Sequence, residues 1–146
     1  MTPRLDTNQA SPEAIKALMS LERALSALDI DATLADLVRL RASQINGCTY
    51  CVDLHSNEAR RRGETERRLH CVVAWRDAPF FTDRERAVLA WTESLTLLPT
   101  SHAPDEDYAA LRAHCSEAEC VNLSLLIGAI NTWNRLSVGF RKTPST

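Results

Sequence analysis

Apolar residues recur every three or four positions through most of the 146-residue chain, which is the spacing of a helix face. The first stripe follows Ser11-Pro12-Glu13, a typical helix start with proline at its first position. Its members are Ile15, Leu18, Met19, Leu25 and Leu28. The second stripe ends at Asn46-Gly47 and comprises Leu34, Leu37, Val38, Arg41 and Ile45. These patterns predict two helices.

Glycine and capping residues predict the next two helices. A third helix should start near Cys48 and stop before Gly63, since glycine is favoured just past a helix end. Thr65 can cap a fourth helix that runs to about Trp75.

Two capping boxes and a proline predict three more helices. Thr82-Asp83-Arg84-Glu85 opens a helix that runs to about Leu98, and Ser116-Glu117-Ala118-Glu119 opens the last one. Pro104-Asp105-Glu106 begins a short helix between them. Residues 98–103 are predicted to form a loop. No strand-like alternation or internal repeat is visible, so the fold class is predicted to be all-α, a single-domain bundle of about six to seven helices over residues 1–146.

Composition and charge restrict the partners. The chain is 45% apolar and 25% charged, with a formal net charge of −2, so it lacks the basic field that attracts nucleic acid or an anionic membrane surface. The longest apolar stretch, Leu123–Ile130, is too short to span a bilayer, and residues 1–10 lack the apolar core of a signal peptide. We expect a cytoplasmic protein that binds neither nucleic acid nor membrane.

Five cysteines are present, and an odd number without a secretory signal argues against a structural disulfide framework. Three of them lie at helical positions beside apolar neighbours, where a cysteine acts as a small buried hydrophobe. These three are Cys71, Cys115 and Cys120. The other two form a Cys-x-x-Cys pair.

This pair, Cys48 and Cys51, follows Gly47 and precedes His55. If Gly47 ends one helix and Cys48 begins the next, the two sulfurs lie on one face and can close a disulfide. His55 is four residues beyond Cys51, so its imidazole lies on the same face, one turn on. A helix N-terminus stabilises a thiolate and an imidazole can move a proton, so the cluster is suited to thiol redox chemistry.

Two other interpretations of the pair stay open. A structural zinc would need four ligands, and His114, Cys115 and Cys120 could supply one only by a distant contact. Two buried, inert cysteines are the second. Covalent haem attachment is excluded because Val52 stands where that motif requires histidine.

The stretch from Asp36 to Gly47, followed by Cys48-x-x-Cys51-x-x-x-His55 and Gly63, resembles the core motif of the carboxymuconolactone decarboxylase superfamily. Its cysteine pair makes it most similar to the alkyl hydroperoxidase D-like branch. The resemblance, whose core motif is residues 36–63, continues through two further segments. They are residues 75–80 and 130–135.

The resemblance implies an all-helical subunit that forms homo-oligomers, often trimers or hexamers, and uses no cofactor beyond its redox-active disulfide. It implies that Cys51 attacks a hydroperoxide, Cys48 resolves the resulting sulfenic acid, and His55 relays protons with Asp36 as its carboxylate. A dithiol protein or a small thiol would then reduce the disulfide.

The chain departs from the family pattern at two positions. Asp36 stands where the family usually has glutamate, and with antiparallel helices it lies level with about residue 59, roughly 6 Å beyond His55 along the axis. Glu58 is a weaker candidate for the same role, and both carboxylates could instead be solvated. Tyr50 replaces an additional histidine that some hydroperoxidases carry between the cysteines.

Two residue sets outside the motif have structural interpretations. The tryptophans are predicted to be core or subunit-interface anchors. They are Trp75, Trp91 and Trp133. Asn131 and Asn134, three apart on one helical face, could line the active site, but amide pairing between helices or subunits is the favoured interpretation.

The leading hypothesis is therefore a peroxidase-type oxidoreductase that acts on alkyl hydroperoxides. The alternatives are a lyase or isomerase that acts on a lactone, which needs no cysteine pair, and a non-catalytic redox sensor in which the disulfide only alters assembly.

Overall fold

Nine α-helices and one 3₁₀ turn form the secondary structure of residues 2–144, which the computed structural model describes. Their bounds are Thr7–Ala10 (α1), Pro12–Ser26 (α2), Ala32–Ile45 (α3), Thr49–Arg61 (α4), Glu66–Cys71 (α5), the 3₁₀ turn Val72–Ala74, Asp83–Thr96 (α6), Leu98–Ser101 (α7), Asp105–His114 (α8) and Glu117–Gly139 (α9). Since no strand occurs in this part of the chain, the all-α prediction is confirmed.

The predicted number of helices, six to seven, is wrong for the described residues. The two additional helices, α1 and α7, have four residues each, which is too short for any apolar periodicity. Asp6 caps α1 by accepting hydrogen bonds from the backbone N–H groups of Asn8 and Gln9. Helix α7 occupies most of the predicted loop, residues 98–103.

Helix α3 lies at the centre and packs against α4, α6 and α9. Its two buried sides belong to different apolar clusters. Leu34 and Val38 join residues of α2, α6, α8 and α9, whereas Leu37 and Leu40 join residues of α4, α5 and α6. Complete burial of each such side chain contributes roughly 1.5–3 kcal/mol. Because both sides of α3 are buried, the end of this helix, where the cysteine pair begins, is held firmly.

Five of the six predicted packing residues lie in or against these clusters. Cys115, Cys120 and Trp91 belong to the first, and Trp75 to the second, against which Cys71 also packs. The exception is Trp133, which is half-buried outside both clusters and donates a hydrogen bond through Nε1 to Glu22 (3.0 Å).

Candidate active site

The turn between α3 and α4 places Cys48 at the start of α4. Gly47 adopts a left-handed conformation (φ +64°), which glycine tolerates at no steric cost. The Gly47 N–H donates to the Gln44 carbonyl (3.2 Å) and the Cys48 N–H to the Ser43 carbonyl (3.0 Å). This pair of hydrogen bonds is a Schellman motif, in which the chain leaves one helix within two residues. Gly63 (φ +99°) ends α4 in the same way, as the sequence predicts.

Cys48 is the N-cap residue of α4, and its Sγ accepts a hydrogen bond from the Cys51 backbone N–H at 3.3 Å. The two cysteines are joined by a disulfide across a Cα–Cα distance of 5.3 Å. Both are almost fully buried, with exposed fractions of 1% and 2%. The two sulfurs are therefore at disulfide distance, as the sequence predicts, and the Cys48 sulfur is the capping group of the helix.

His55 lies one turn beyond Cys51 and is buried. Its Nδ1 is 3.0 Å from Oε2 of Glu58, three residues further along α4. The hydrogen bond from His55 lowers the pKa of Glu58, and the charges of His55, Arg62 and Arg39 lower it further, although partial burial opposes them. Glu58 is therefore an ionised acceptor, which makes it a suitable partner for one imidazole nitrogen.

Asp36 is buried on α3, and its carboxylate accepts a hydrogen bond from the guanidinium of Arg62, the C-cap residue of α4. The sequence predicts that Asp36 lies level with a part of α4 beyond His55. The structure agrees, because Asp36 pairs with Arg62 at the far end of α4. The carboxylate that hydrogen-bonds to His55 is Glu58. Neither carboxylate is a simple solvated charge.

Tyr50, between the two cysteines, contacts the end of the chain. The Lys142 ammonium lies 4.0 Å from the centroid of the Tyr50 ring, a cation–π geometry. Sequence reasoning missed Lys142, because nothing in the pattern relates two residues so far apart in the chain.

An amide network fastens the end of α3 to α9. Asn46, the C-cap residue of α3, donates through Nδ2 to Oδ1 of Asn131 (3.0 Å) and of Asn134 (2.9 Å). Asn134 in turn donates to the Ser43 hydroxyl (3.0 Å) and Asn131 to the Thr96 hydroxyl (3.1 Å). The predicted amide pairing between helices is confirmed. Its location next to Gly47 means that it also fixes the turn that carries Cys48.

Two observations concern ligands and membranes. Within residues 2–144, no three His, Cys, Asp or Glu side chains are arranged to hold a metal ion. No helix in the same part of the chain is long and apolar enough to cross a bilayer.

Comparisons with known proteins agree with this geometry. Residues 12–94 match the model of the carboxymuconolactone decarboxylase family. The chain is 39% identical over 138 residues to the uncharacterised protein YdfG of Bacillus subtilis strain 168, covering 94% of each chain.

Two solved structures share the fold. One is a protein of unknown function from Agrobacterium tumefaciens that has been suggested to be the antioxidant defence protein AhpD. Its TM-score is 0.97 at 42% identity, over 99% of this chain and 100% of that one. The other is the debrominase Bmp8, with a TM-score of 0.85 at 21% identity, over 94% of this chain and 74% of that one. The chain belongs to the carboxymuconolactone decarboxylase family, in its alkyl hydroperoxidase D-like branch.

Proposed function

We propose that this protein is a dithiol peroxidase that reduces an organic hydroperoxide through a Cys48/Cys51 thiol–disulfide cycle. The observation that carries the proposal is the disulfide at the first turn of α4, with His55 one turn beyond it and hydrogen-bonded to a carboxylate. This chemistry requires a stabilised thiolate and a group that transfers protons. Helix α4 supplies both, through its N-terminus and through the imidazole of His55.

The proposed cycle balances as follows. The Cys51 thiolate attacks the distal oxygen of ROOH, the O–O bond breaks, and Cys51 becomes a sulfenic acid while RO⁻ takes a proton and leaves as ROH. The Cys48 thiolate then attacks the Cys51 sulfur, which closes the disulfide and releases water. An external dithiol reduces the disulfide and is itself oxidised. The net reaction converts ROOH and two thiols into ROH, water and one disulfide.

The assignment of Cys51 as the attacking thiol and Cys48 as the resolving thiol follows the family pattern. Local physics divides the two tasks: the helix N-terminus stabilises a thiolate at Cys48, the N-cap residue, whereas His55 is one turn from Cys51. A stabilised Cys48 thiolate suits the resolving step, because it must attack Cys51 as soon as the sulfenic acid forms. His55 suits proton transfer at Cys51.

The partners in this proposal are a hydroperoxide substrate and either a dithiol protein or a small thiol as the electron donor. The chain would work as a homo-oligomer, a trimer or hexamer, in the reducing cytoplasm, with no metal or organic cofactor.

The test is a thiol count on reduced protein. One equivalent of cumene hydroperoxide should remove two thiols per chain, and peptide mapping should place the new disulfide at Cys48 and Cys51 while Cys71 keeps its thiol. A Cys48→Ala, Cys51→Ala variant is the control and should consume no peroxide.

Full turnover by that double variant would refute the proposal. A lactone-converting activity that survives alkylation of both thiols would instead support the lyase. A disulfide that changes oligomer size without peroxide turnover would support the redox sensor.

A further inference from the structure

We propose that Glu58, rather than Asp36, is the carboxylate that positions His55, and that Asp36 acts one step further away by holding Arg62 beside Glu58. This inference rests on the proposed function for the reaction that His55 serves. The geometry it describes does not depend on which substrate is reduced.

The Glu58 carboxylate fixes the tautomer of the His55 imidazole. Glu58 Oε2 lies 3.0 Å from His55 Nδ1, and an ionised carboxylate can only accept a hydrogen bond. Nδ1 therefore carries the proton and donates to Glu58, which leaves the lone pair of the neutral ring on Nε2. An imidazole fixed in this tautomer can accept a proton from a thiol and return it to a leaving alkoxide. Glu58 thus acts through His55 and is a positioning residue.

Arg62 links the two carboxylates electrostatically. Its charge is one of those that keep Glu58 ionised, and it also donates a hydrogen bond to Asp36. The hydrogen bond to Asp36 raises the pKa of Arg62, and the nearby charge of Glu58 raises it further. Since the side chain of Arg62 is about half exposed (49%) and that of Asp36 is buried (4%), the carboxylate of Asp36 is the fixed end of the pair. Asp36 therefore holds the guanidinium of Arg62 at the position from which its charge lowers the pKa of Glu58.

The charged groups around this site come from three parts of the chain. Helix α4 supplies Glu58 and Arg62, helix α3 supplies Asp36 and Arg39, and helix α2 supplies Glu22, which is ion-paired with Arg39 (3.3 Å). The first four form an alternating series of two carboxylates and two guanidinium groups. Only Glu58 contacts the imidazole among the carboxylates of residues 2–144.

The experiment compares four variants of the reduced protein. Glu58→Ala removes the acceptor, Glu58→Gln keeps a neutral acceptor, and Asp36→Asn weakens the hold on Arg62. Asp53→Asn is the matched control, because this exposed carboxylate on α4 bonds only to Asn57 among the described residues. Two readouts need no peroxide: the His55 tautomer from ¹⁵N NMR, and the pH profile of iodoacetamide labelling at Cys48 and Cys51.

Glu58→Ala should abolish the preference for the Nδ1–H tautomer and slow labelling at neutral pH by about tenfold, since His55 no longer keeps the lone pair on Nε2 to accept the thiol proton. Glu58→Gln should restore the tautomer in part. Asp36→Asn should have a smaller effect than Glu58→Ala, and Asp53→Asn none.

An Asp36→Asn variant that disturbs the tautomer while both Glu58 variants match the wild type would overturn the inference. If Glu58→Ala fails to fold, Glu58→Gln carries the test, and its wild-type tautomer and unchanged labelling profile would overturn the inference equally. Absence of peroxide turnover in the wild-type protein, with the tautomer results as expected, would refute the proposed function and leave this inference standing.

Discussion

Two pairs of cysteines lie at helix starts in this molecule, and a histidine lies one turn beyond only one of them. Cys48 and Cys51 lie at the start of α4, and Cys115 and Cys120 at the start of α9. In each pair one cysteine precedes the helix and the other follows its N-cap closely. All four are buried, with exposed fractions between 1% and 6%. Burial and a helix N-terminus therefore do not distinguish the two pairs.

The difference is the group that caps each helix. The hydroxyl of Ser116 caps α9, and the carboxylate of Glu119 completes a capping box, so neither sulfur there is needed to cap the helix. Burial raises the pKa of Cys115, which keeps it a neutral thiol packed in the first apolar cluster. At α4 the sulfur of Cys48 itself caps the helix, and His55 follows on the same face. The pair proposed for redox chemistry is therefore the one whose own sulfur, and not a serine hydroxyl, caps the helix.

The largest expected effect separates the two pairs by activity. Cys51→Ser should eliminate peroxide consumption, because the attacking thiolate is gone. Cys120→Ser should leave it unchanged and lower only the stability. Turnover is measured with cumene hydroperoxide and a dithiol donor.

Cys48→Ser sharpens this test. It should leave a persistent sulfenic acid on Cys51 that dimedone traps and mass spectrometry locates. Dimedone on Cys48 in the Cys51→Ser variant, with turnover of the first peroxide equivalent, would reverse the assigned order.

The second effect separates the pairs by reactivity in the reduced, folded protein. We expect iodoacetamide at neutral pH to label Cys48 and Cys51 roughly ten to a hundred times faster than Cys115 and Cys120, because the thiolate is the nucleophile. At α4 a backbone N–H bonds to the Cys48 sulfur and His55 lies one turn beyond Cys51, whereas a capping box occupies the start of α9 and burial raises the pKa of Cys115. Timed quenching and peptide mass spectrometry give the rates. Equal rates for the two pairs would remove the distinction drawn from the caps.

The third effect concerns the Schellman turn at Gly47, which precedes the Cys48/Cys51 pair. Gly47→Ala should cost about 1–2 kcal/mol, since alanine is strained at φ +64°, although no atom lies within 4 Å of the added Cβ. Gly128→Ala is the matched control: this helical glycine also has open space, and alanine should stabilise it by up to about 1 kcal/mol. Urea denaturation measures both. A neutral Gly47→Ala would show that the Schellman turn does not determine the start of α4.

The smallest effect is a pH dependence at the second pair. Because burial raises the pKa of Cys115, the unfolded chain ionises this thiol at a lower pH than the folded one. Its contribution to stability is complete below the ordinary thiol pKa and is lost as the pH rises through the raised value. Cys115→Ala should therefore show a smaller loss of stability between neutral and alkaline pH than the wild type. Urea melts at two pH values measure the slope, and equal slopes would contradict the assignment.

The ends of several helices could be predicted from short-range sequence signals. Gly47 and Gly63 mark the ends of α3 and α4, and capping boxes mark the starts of α6 and α9, because these signals lie within four residues of the boundary they set. Helices α1 and α7 were not predicted, because a helix of a single turn shows no apolar periodicity.

The positions of the cysteines and the histidine in the site could be predicted from the sequence, but the pairing of its charged side chains could not. The spacing of Cys48, Cys51 and His55 along one helix fixes their common face. Which carboxylate meets His55 depends on rotamers and on competing cations: Arg62 reaches back to Asp36, and Glu58 is left for the imidazole. A sequence that offers several partners within reach does not say which pair forms.

The end of α9 has a consequence for the rate at which the disulfide can be reduced. Arg141 takes a left-handed backbone conformation (φ 58°), which costs about 1–2 kcal/mol for a residue other than glycine. This strained residue immediately precedes Lys142, which lies on the ring of Tyr50. Because both sulfurs are almost fully buried, reduction in the proposed cycle requires a local opening, and the backbone strain at Arg141 lowers the free energy of opening this segment. If this opening limits the proposed reduction, hydrogen exchange at the last turn of α9 should occur at the same frequency as the reduction.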